Sequence, residues 1–294
     1  MTHNPLQQYR ARRAFEQARQ EARREQLAAR LTGRPDHLLP FEAIRAELRQ
    51  QNPYYQGLRE IPLDKIVGSV GRYHEFTRHF LPLNESLSDR WIRVRTMVTR
   101  QGWTPIEVYQ VGEVYFVQDG NHRCAVARQL GNTTIEAYVW QFPAEITIHP
   151  QDDLDTILIR LGESNFMAQT HLDQIQPDHD IHFTSPGRYR ELLAQIADLR
   201  QKLTAIDGRH FSYPEAVAAW YELIYLPTVQ IIRDSTLLRD FPGRTEADLF
   251  VWLSQHRHRL SEVYGPYHNL ADLAQLLAHH YREGCLARVA RLAR

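Results

Sequence analysis

One stretch of the sequence, residues 115–131, constrains the fold more than any other. It begins with aromatic and β-branched residues at 115–117, which favour a β-strand. The pattern breaks at Asp119-Gly120 and continues as a helix-forming segment that ends at Gly131. The stretch therefore predicts a strand, a tight turn and a helix in immediate succession.

The start of this predicted helix is a candidate anion-binding site. The backbone N–H groups of Asn121, His122 and Arg123 would lack partners within the helix, and the helix dipole adds partial positive charge there. The side chains of His122 and Arg123 add donors on the same side. We predict that a phosphate or another anion binds at Gly120, Asn121, His122 and Arg123. The alternative is a plain strand-turn-helix in which Asp119 caps the helix and Arg123 pairs with a carboxylate.

Length and composition exclude several classes of protein. The 294 residues suffice for one large or two ordinary domains, and 35 basic residues balance 35 acidic ones, so no global field attracts nucleic acid or a membrane. The only cysteines, Cys124 and Cys285, lie far apart without metal-ligand spacing, which suits a reducing cytoplasm. No run of about 18 apolar residues and no secretory signal is present. We expect a cytoplasmic protein with no membrane span.

The N-terminal segment is basic. Residues 1–34 hold eight arginines against three glutamates, and residues 5–31 are rich in helix formers that end before Gly33 and Pro35. One interpretation is a basic helix that lies on DNA. We favour a solvated helix packed along an edge of the protein, because its two aromatic residues, Tyr9 and Phe15, are not interleaved with the arginines in a pattern for stacking on bases.

The predicted secondary structure changes at Pro143, from mixed strands and helices to helices. Before it, residues 52–57 read as a linker, residues 61–69 contain a short strand, and a helix runs from Ser88 to Gly102. A hairpin at 105–118 turns at Gly112-Glu113, and a last strand covers 135–140. We predict an α+β chain with a helical arm and linker at 1–56, a small mixed α/β domain at 57–143 and an all-helical domain at 144–294.

The segment after Pro143 carries only helical patterns. Ser212 and Thr245 each begin a helix with an N-terminal signature, and Pro227 should kink or split a helix. Arg244 stands at a helix start after a Pro-Gly pair. It would give a second anion contact or a domain contact, although capping alone explains its neighbours Thr245 and Glu246.

Three motifs of the α/β segment resemble the ParB/sulfiredoxin superfamily. They are IPLDKI at 61–66, PIEV at 105–108, and DGNHR at 119–123 followed by AVA at 125–127. In that superfamily the turn binds nucleotide phosphates: ATP in sulfiredoxin, CTP in ParB, and ADP or ATP in ParB-like free-serine kinases. The resemblance covers residues 61–142. The order of this segment and the later motifs PGRY at 186–189 and FPGRTE at 241–246 also resembles a bacterial family in which a ParB-like domain precedes a helical region.

Departures from the superfamily pattern limit what the resemblance implies. Sulfiredoxin needs a cysteine two residues before the arginine of the motif, and Asn121 stands there, so reductase activity is not expected. His122 replaces one of the two arginines of the ParB turn. A ParB-type helix-turn-helix is not obvious in the later helices.

The resemblance implies a nucleoside triphosphate or diphosphate with Mg²⁺ as the ligand. Such a site needs donors for phosphate and usually a carboxylate for the metal. Asp119 is the candidate Mg²⁺ ligand and a candidate catalytic residue, and Glu107 on the neighbouring strand is the candidate general base. Arg72 would reach the same pocket. Each residue also has a simpler interpretation. Asp119 would cap the helix, Glu107 would be an exposed strand residue, and Arg72 would form a surface ion pair.

Three functions stay open at this point. The first is a ParB-like nucleotide-binding protein that acts as an NTPase or a nucleotide-switched regulator. The second is a DNA-binding regulator or ParB-like nuclease that contacts DNA through the basic N-terminal helix. The third is a small-molecule kinase with Glu107 as its base. The oligomeric state is not determined, and a homodimer is among the options.

Overall fold

The computed structural model describes residues 5–32, 36–48, 52–143, 146–235 and 237–282. The helices are α1 (Pro5–Thr32), α2 (Phe41–Glu47), α3 (Ser88–Gln101), α4 (Asn121–Gln129), α5 (Leu154–Thr170), α6 (Leu172–Ile175), α7 (Arg188–Asp207), α8 (Tyr213–Trp220), α9 (Leu226–Asp234), α10 (Glu246–Tyr264) and α11 (Leu270–Arg282). The strands are β1 (Leu39–Pro40), β2 (Tyr54–Pro62), β3 (Ile66–Ser69), β4 (Ile106–Val111), β5 (Val114–Asp119) and β6 (Thr134–Phe142).

The chain divides into two compact units, Met1–Leu161 and Gly162–Arg294. The division falls inside α5. The first unit carries a mixed sheet and the second is helical, which confirms the predicted α+β class of a mixed α/β segment followed by helices. The domain limits after residues 56 and 143 stay predictions.

A six-stranded mixed sheet, in the order β1-β3-β5-β4-β6-β2, forms the centre of the first unit. The predicted hairpin is β4 and β5, which pair antiparallel around Gly112-Glu113. Strand β4 also pairs parallel with β6, and β3 pairs parallel with β5. The hairpin therefore occupies the middle of the sheet, and β5 delivers the chain from there into α4.

One prediction for this unit was wrong, and one motif is divided between two strands. Residues 52–57, predicted as a linker, contribute to β2, which begins at Tyr54 and pairs along its length with β6. The motif at 61–66 is not a single strand, because β2 ends at Pro62, a 3₁₀ turn covers Leu63–Lys65, and Ile66 begins β3. Proline has no N–H to extend a ladder, so β2 stops there and the chain crosses to the far side of the sheet.

Each face of the sheet has its own hydrophobic core. The core shared with α3 and α4 contains Trp91, Ile106, Val108, Cys124 and Val126. The core on the other face contains Phe41, Ile44, Phe116, Phe142 and Ile157. Burial raises the pKa of the Cys124 thiol to about 12, so this cysteine is an inert core residue.

Helix α1 packs against α3 within the first unit. Its buried positions recur every three or four residues through Ala11, Ala14 and Ala18, and the Phe15 ring lies 5.7 Å from the Trp91 ring. Arg19 also pairs with Glu85. This packing agrees with the favoured interpretation of a packed helix, and its place at an edge stays a prediction. The predicted helix end at Gly33 and Pro35 lies outside the described residues, as does Cys285.

The second unit has an aromatic core and well-capped helices. Ser212 and Thr245 are the predicted N-terminal caps of α8 and α10, and each forms a capping box. At the predicted break near Pro227, a π-helical turn at Tyr221–Tyr225 separates α8 from α9. Pro227 lies in the first turn of α9 and has no N–H to donate to the preceding turn. No helix within the described ranges is long and apolar enough to span a bilayer.

Candidate functional site

The predicted strand-turn-helix is present at 114–129, and Gly120 makes the turn. Gly120 has a φ of 119°, a left-handed conformation that favours glycine. A Cβ atom at this position would lie 2.4 Å from Cγ2 of Ile106. The turn therefore requires glycine for two independent reasons, and it brings the first turn of α4 against the start of β4.

Arg123 holds this turn in place. Its Nη1 donates to the carbonyl oxygens of Thr104, at 3.2 Å, and Pro105, and to Thr104 Oγ1 at 3.1 Å. Its Nη2 pairs with Asp119. Asp119 does not cap α4, because Gly120 is the N-cap residue and no side chain caps the helix. The guanidinium thus ties the head of α4 to the loop before β4, which makes Arg123 a positioning residue.

Asn121 and His122 are buried at the head of α4 with unused polar atoms. Asn121 is 6% exposed and His122 is 4% exposed. Oδ1 of Asn121 and both ring nitrogens of His122 have no hydrogen-bond partner among the described residues. Each such buried polar atom costs about 1–3 kcal/mol. The head of α4 therefore contains polar groups that the described protein atoms do not satisfy.

His122 is held in its neutral form. Burial, together with the positive charges of Arg90 and Arg72, lowers its pKa to about 4. The ring of Phe76 contacts the imidazole edge-on at a centroid distance of 5.4 Å. At neutral pH the imidazole thus has one nitrogen that can donate and one that can accept.

Two exposed arginines carry positive charge near His122. Arg72, a predicted site residue, is in the loop after β3 and pairs with Glu75 at 3.2 Å. Arg90, in the first turn of α3, has no hydrogen bond or ion pair to another described residue. Sequence reasoning missed Arg90, because only the packing of α3 against α4 brings its charge to bear on His122.

The two predicted catalytic carboxylates are placed differently. Glu107 alternates along β4 with Ile106 and Val108, which pack in the core shared with α4, so its side chain lies on the other face of the sheet. Asp119 is engaged by Arg123. Among the described side chains, no three His, Cys, Asp or Glu residues gather in a way that would hold a metal ion. The catalytic roles of both carboxylates and the Mg²⁺ role of Asp119 stay predictions.

Comparisons with known proteins do not establish a family. Neither a family model nor a curated protein matches the chain. The solved structures that match include the C-terminally truncated chromosome-partitioning protein ParB from Caulobacter crescentus, complexed with CTP-gamma-S. The identity is 14% and the TM-score is 0.21, over 75% of this chain and 99% of that chain. A similarity this distant supports no functional argument.

Proposed function

We propose that the first unit binds the phosphate groups of a nucleotide at the head of α4. The observation that carries the proposal is the set of buried, unpaired polar atoms of Asn121 and His122 at a helix N-terminus. Helix N-termini attract anions through free N–H groups and the helix dipole. A phosphate oxygen there would accept a hydrogen bond from the N–H of the neutral His122 ring. Oδ1 of Asn121 and the second ring nitrogen are acceptors, so their partner would be a donor such as a nucleotide hydroxyl.

Arg72 and Arg90 are the proposed cationic contacts. Both side chains are exposed, and both act electrostatically on His122. A guanidinium binds phosphate oxygens through paired hydrogen bonds, and a diphosphate or triphosphate has enough oxygens to engage both arginines and the helix head. Arg123 would act indirectly in this arrangement, by holding the turn.

Binding at this position requires a local rearrangement. The unpaired atoms of Asn121 and His122 are almost fully covered, and Phe76 contacts the imidazole. Phe76 and Arg72 both belong to the loop that follows β3. We expect this loop to move when a nucleotide enters, so that Phe76 withdraws from His122 while Arg72 approaches the phosphates.

Calorimetric titration of the full chain with ATP, ADP and CTP, with and without Mg²⁺, tests the proposal. Arg90→Ala should weaken binding at least tenfold, because a charged hydrogen bond contributes about 1.5–3 kcal/mol. Arg93→Ala is the matched control: this arginine is exposed on the same helix, and its charge is not among the causes of the His122 pKa shift. It should leave the affinity unchanged.

Two results would contradict the proposal. One is the absence of heat from all three nucleotides at millimolar concentration. The other is an affinity that Arg90→Ala and Arg72→Ala leave unchanged while the circular dichroism spectra match the wild type. A dependence of the affinity on Mg²⁺ that Asp119→Asn abolishes would in turn support the predicted metal ligand.

A further inference from the structure

The second unit brings together two Pro-Gly-Arg segments that are far apart in the sequence, at 186–188 and 242–244. Arg188 and Arg244 line one cavity of about 290 Å³. The other lining residues are Ser185, Phe241, Asp248, Leu249 and Trp252. All seven lie within the second unit, so this cavity shares no residue with the proposed nucleotide site.

Each of the two arginines is fixed by one nitrogen only. Nη1 of Arg244 donates to Oγ1 of Thr184 at 2.8 Å and to Oγ of Ser185 at 2.6 Å. Nη1 of Arg188 contacts Oε1 of Glu191 at 3.3 Å and Oε1 of Gln255 at 3.2 Å. To the described residues, neither guanidinium donates through Nε or Nη2. That edge is the one that binds a carboxylate or phosphate with two parallel hydrogen bonds.

The acidic residue in the cavity wall is already engaged. The carboxylate of Asp248 accepts from the backbone N–H groups of Thr184, at 3.2 Å, and Thr245, at 3.1 Å, and from the Thr184 hydroxyl at 2.6 Å. It makes no ion pair with Arg188 or Arg244. Glu191 partly offsets the charge of Arg188, whereas no described carboxylate pairs with Arg244. The cavity therefore presents a guanidinium without an acidic partner among the described side chains.

Aromatic rings form part of the cavity wall. The rings of Phe241 and Trp252 lie 6.1 Å apart at an angle of 47°, and the indole stacks on His256 at 4.7 Å. These contacts hold the indole in place as a flat apolar surface. A volume of about 290 Å³ is near the lower end of ligand pockets, so an occupant would be small.

We propose that this cavity binds a small aromatic anion, a single ring that bears a carboxylate or a phosphate. The anionic oxygens take the free edges of Arg188 and Arg244, and the ring packs against Trp252. The site is independent of the proposed nucleotide site, and its ligand chemistry follows from the pairing of two preorganised guanidiniums with an aromatic wall.

Calorimetric titration of the full chain with benzoate and phenyl phosphate tests this proposal, and the two probes separate a carboxylate ligand from a phosphate ligand. At least one should bind tenfold or more tightly than phenol and than inorganic phosphate, which lack the charge and the ring, respectively. Arg244→Gln and Arg188→Gln should each weaken binding at least tenfold. Arg257→Gln, at an exposed arginine of α10 outside the cavity wall, should have no effect.

Further variants separate binding from folding. Trp252→Leu should weaken the binding of the aromatic anion and leave that of inorganic phosphate unchanged. If Arg244→Gln lowers the melting temperature, Arg188→Gln carries the test, because its partners Glu191 and Gln255 lie on the helix surface. The proposal is overturned if neither probe binds at millimolar concentration, or if binding survives both arginine substitutions. Arg90→Ala should leave benzoate binding intact, so the two proposed sites can fail separately.

Discussion

At the scale of single residues, His122 is a titratable group whose pKa its surroundings lower strongly. Its neutral imidazole is a consequence of burial next to two arginines, and its ring nitrogens have no partner among the described residues. A surface histidine would titrate near neutral pH and report little about structure. The lowered pKa of His122 should therefore couple the stability of the first unit to pH.

We predict that acid destabilises the protein through His122. The pKa of His122 is about 4 in the folded state and near 6.5 when unfolded, so the unfolded chain binds the proton first as the pH falls. The stability present above pH 6.5 should decline between pH 6.5 and 4, by up to roughly 3 kcal/mol. Urea unfolding across this range measures the decline, and His122→Gln should flatten it. Equal pH slopes for the variant and the wild type would contradict this account.

Gly120 gives a second residue-scale prediction. Gly120→Ala forces a Cβ against Ile106 and imposes a left-handed φ on alanine. Gly131→Ala is the control, since Gly131 has a φ of 79° but open space around the added atom. Backbone strain should lower the free energy of unfolding of both variants by about 1 kcal/mol. Overpacking against Ile106 should lower that of Gly120→Ala by about 1–3 kcal/mol more. Thermal unfolding compares them, and equal losses would mean that the contact with Ile106 relaxes freely.

At the scale of elements, the packing of α1 decides between two interpretations of a basic helix. Its alanine face and Phe15 are buried within the first unit. Its arginines at 10, 12, 13, 23, 24 and 30 are exposed. Because α1 is packed in this way, it is a structural part of the fold, and this holds whether or not its exposed face binds a ligand. DNA binding by that face stays a prediction, and a gel shift that weakens steeply with salt would support it.

We predict that Phe15→Ala destabilises the first unit by about 3–5 kcal/mol, the usual cost of truncating a buried aromatic residue. Phe15 is fully buried, whereas Tyr9 of the same helix is 65% exposed, so Tyr9→Ala is the control and should change the stability little. Denaturant unfolding of both variants gives the comparison. A small effect of Phe15→Ala would indicate that α1 detaches readily from α3.

At the scale of the whole molecule, the two proposed sites lie in different compact units and use different chemistry. The head of α4 presents buried polar atoms flanked by exposed arginines, and the cavity of the second unit presents arginines beside aromatic rings. Ligand binding should therefore protect different amides. A nucleotide should slow hydrogen exchange at 71–76 and 120–124, and benzoate should slow it at 184–188 and 241–245.

Mass-spectrometric hydrogen exchange with each ligand checks this prediction. Arg90→Ala should remove the nucleotide effect, and Arg188→Gln should remove the benzoate effect. Protection of both sets of peptides by one ligand at saturation would show that the ligand engages both units, which contradicts independent sites.

The amino-acid sequence by itself determined the local structures. The β4–β5 hairpin, the turn at Gly120, the start of α4 and the N-terminal caps at Ser212 and Thr245 were all predicted correctly. These features depend on backbone dihedrals and hydrogen bonds between residues a few positions apart, so neighbouring side chains suffice to specify them.

The tertiary structure alone decided which distant residues meet. It paired β2 with β6, split the motif at 61–66 between two strands, and bonded Arg123 to the loop before β4 instead of leaving it free for a ligand. It also brought the charge of Arg90 to His122 and placed Arg188 and Arg244 in the wall of one cavity. Such contacts arise from the joint burial of many side chains, and no short stretch of sequence encodes that burial.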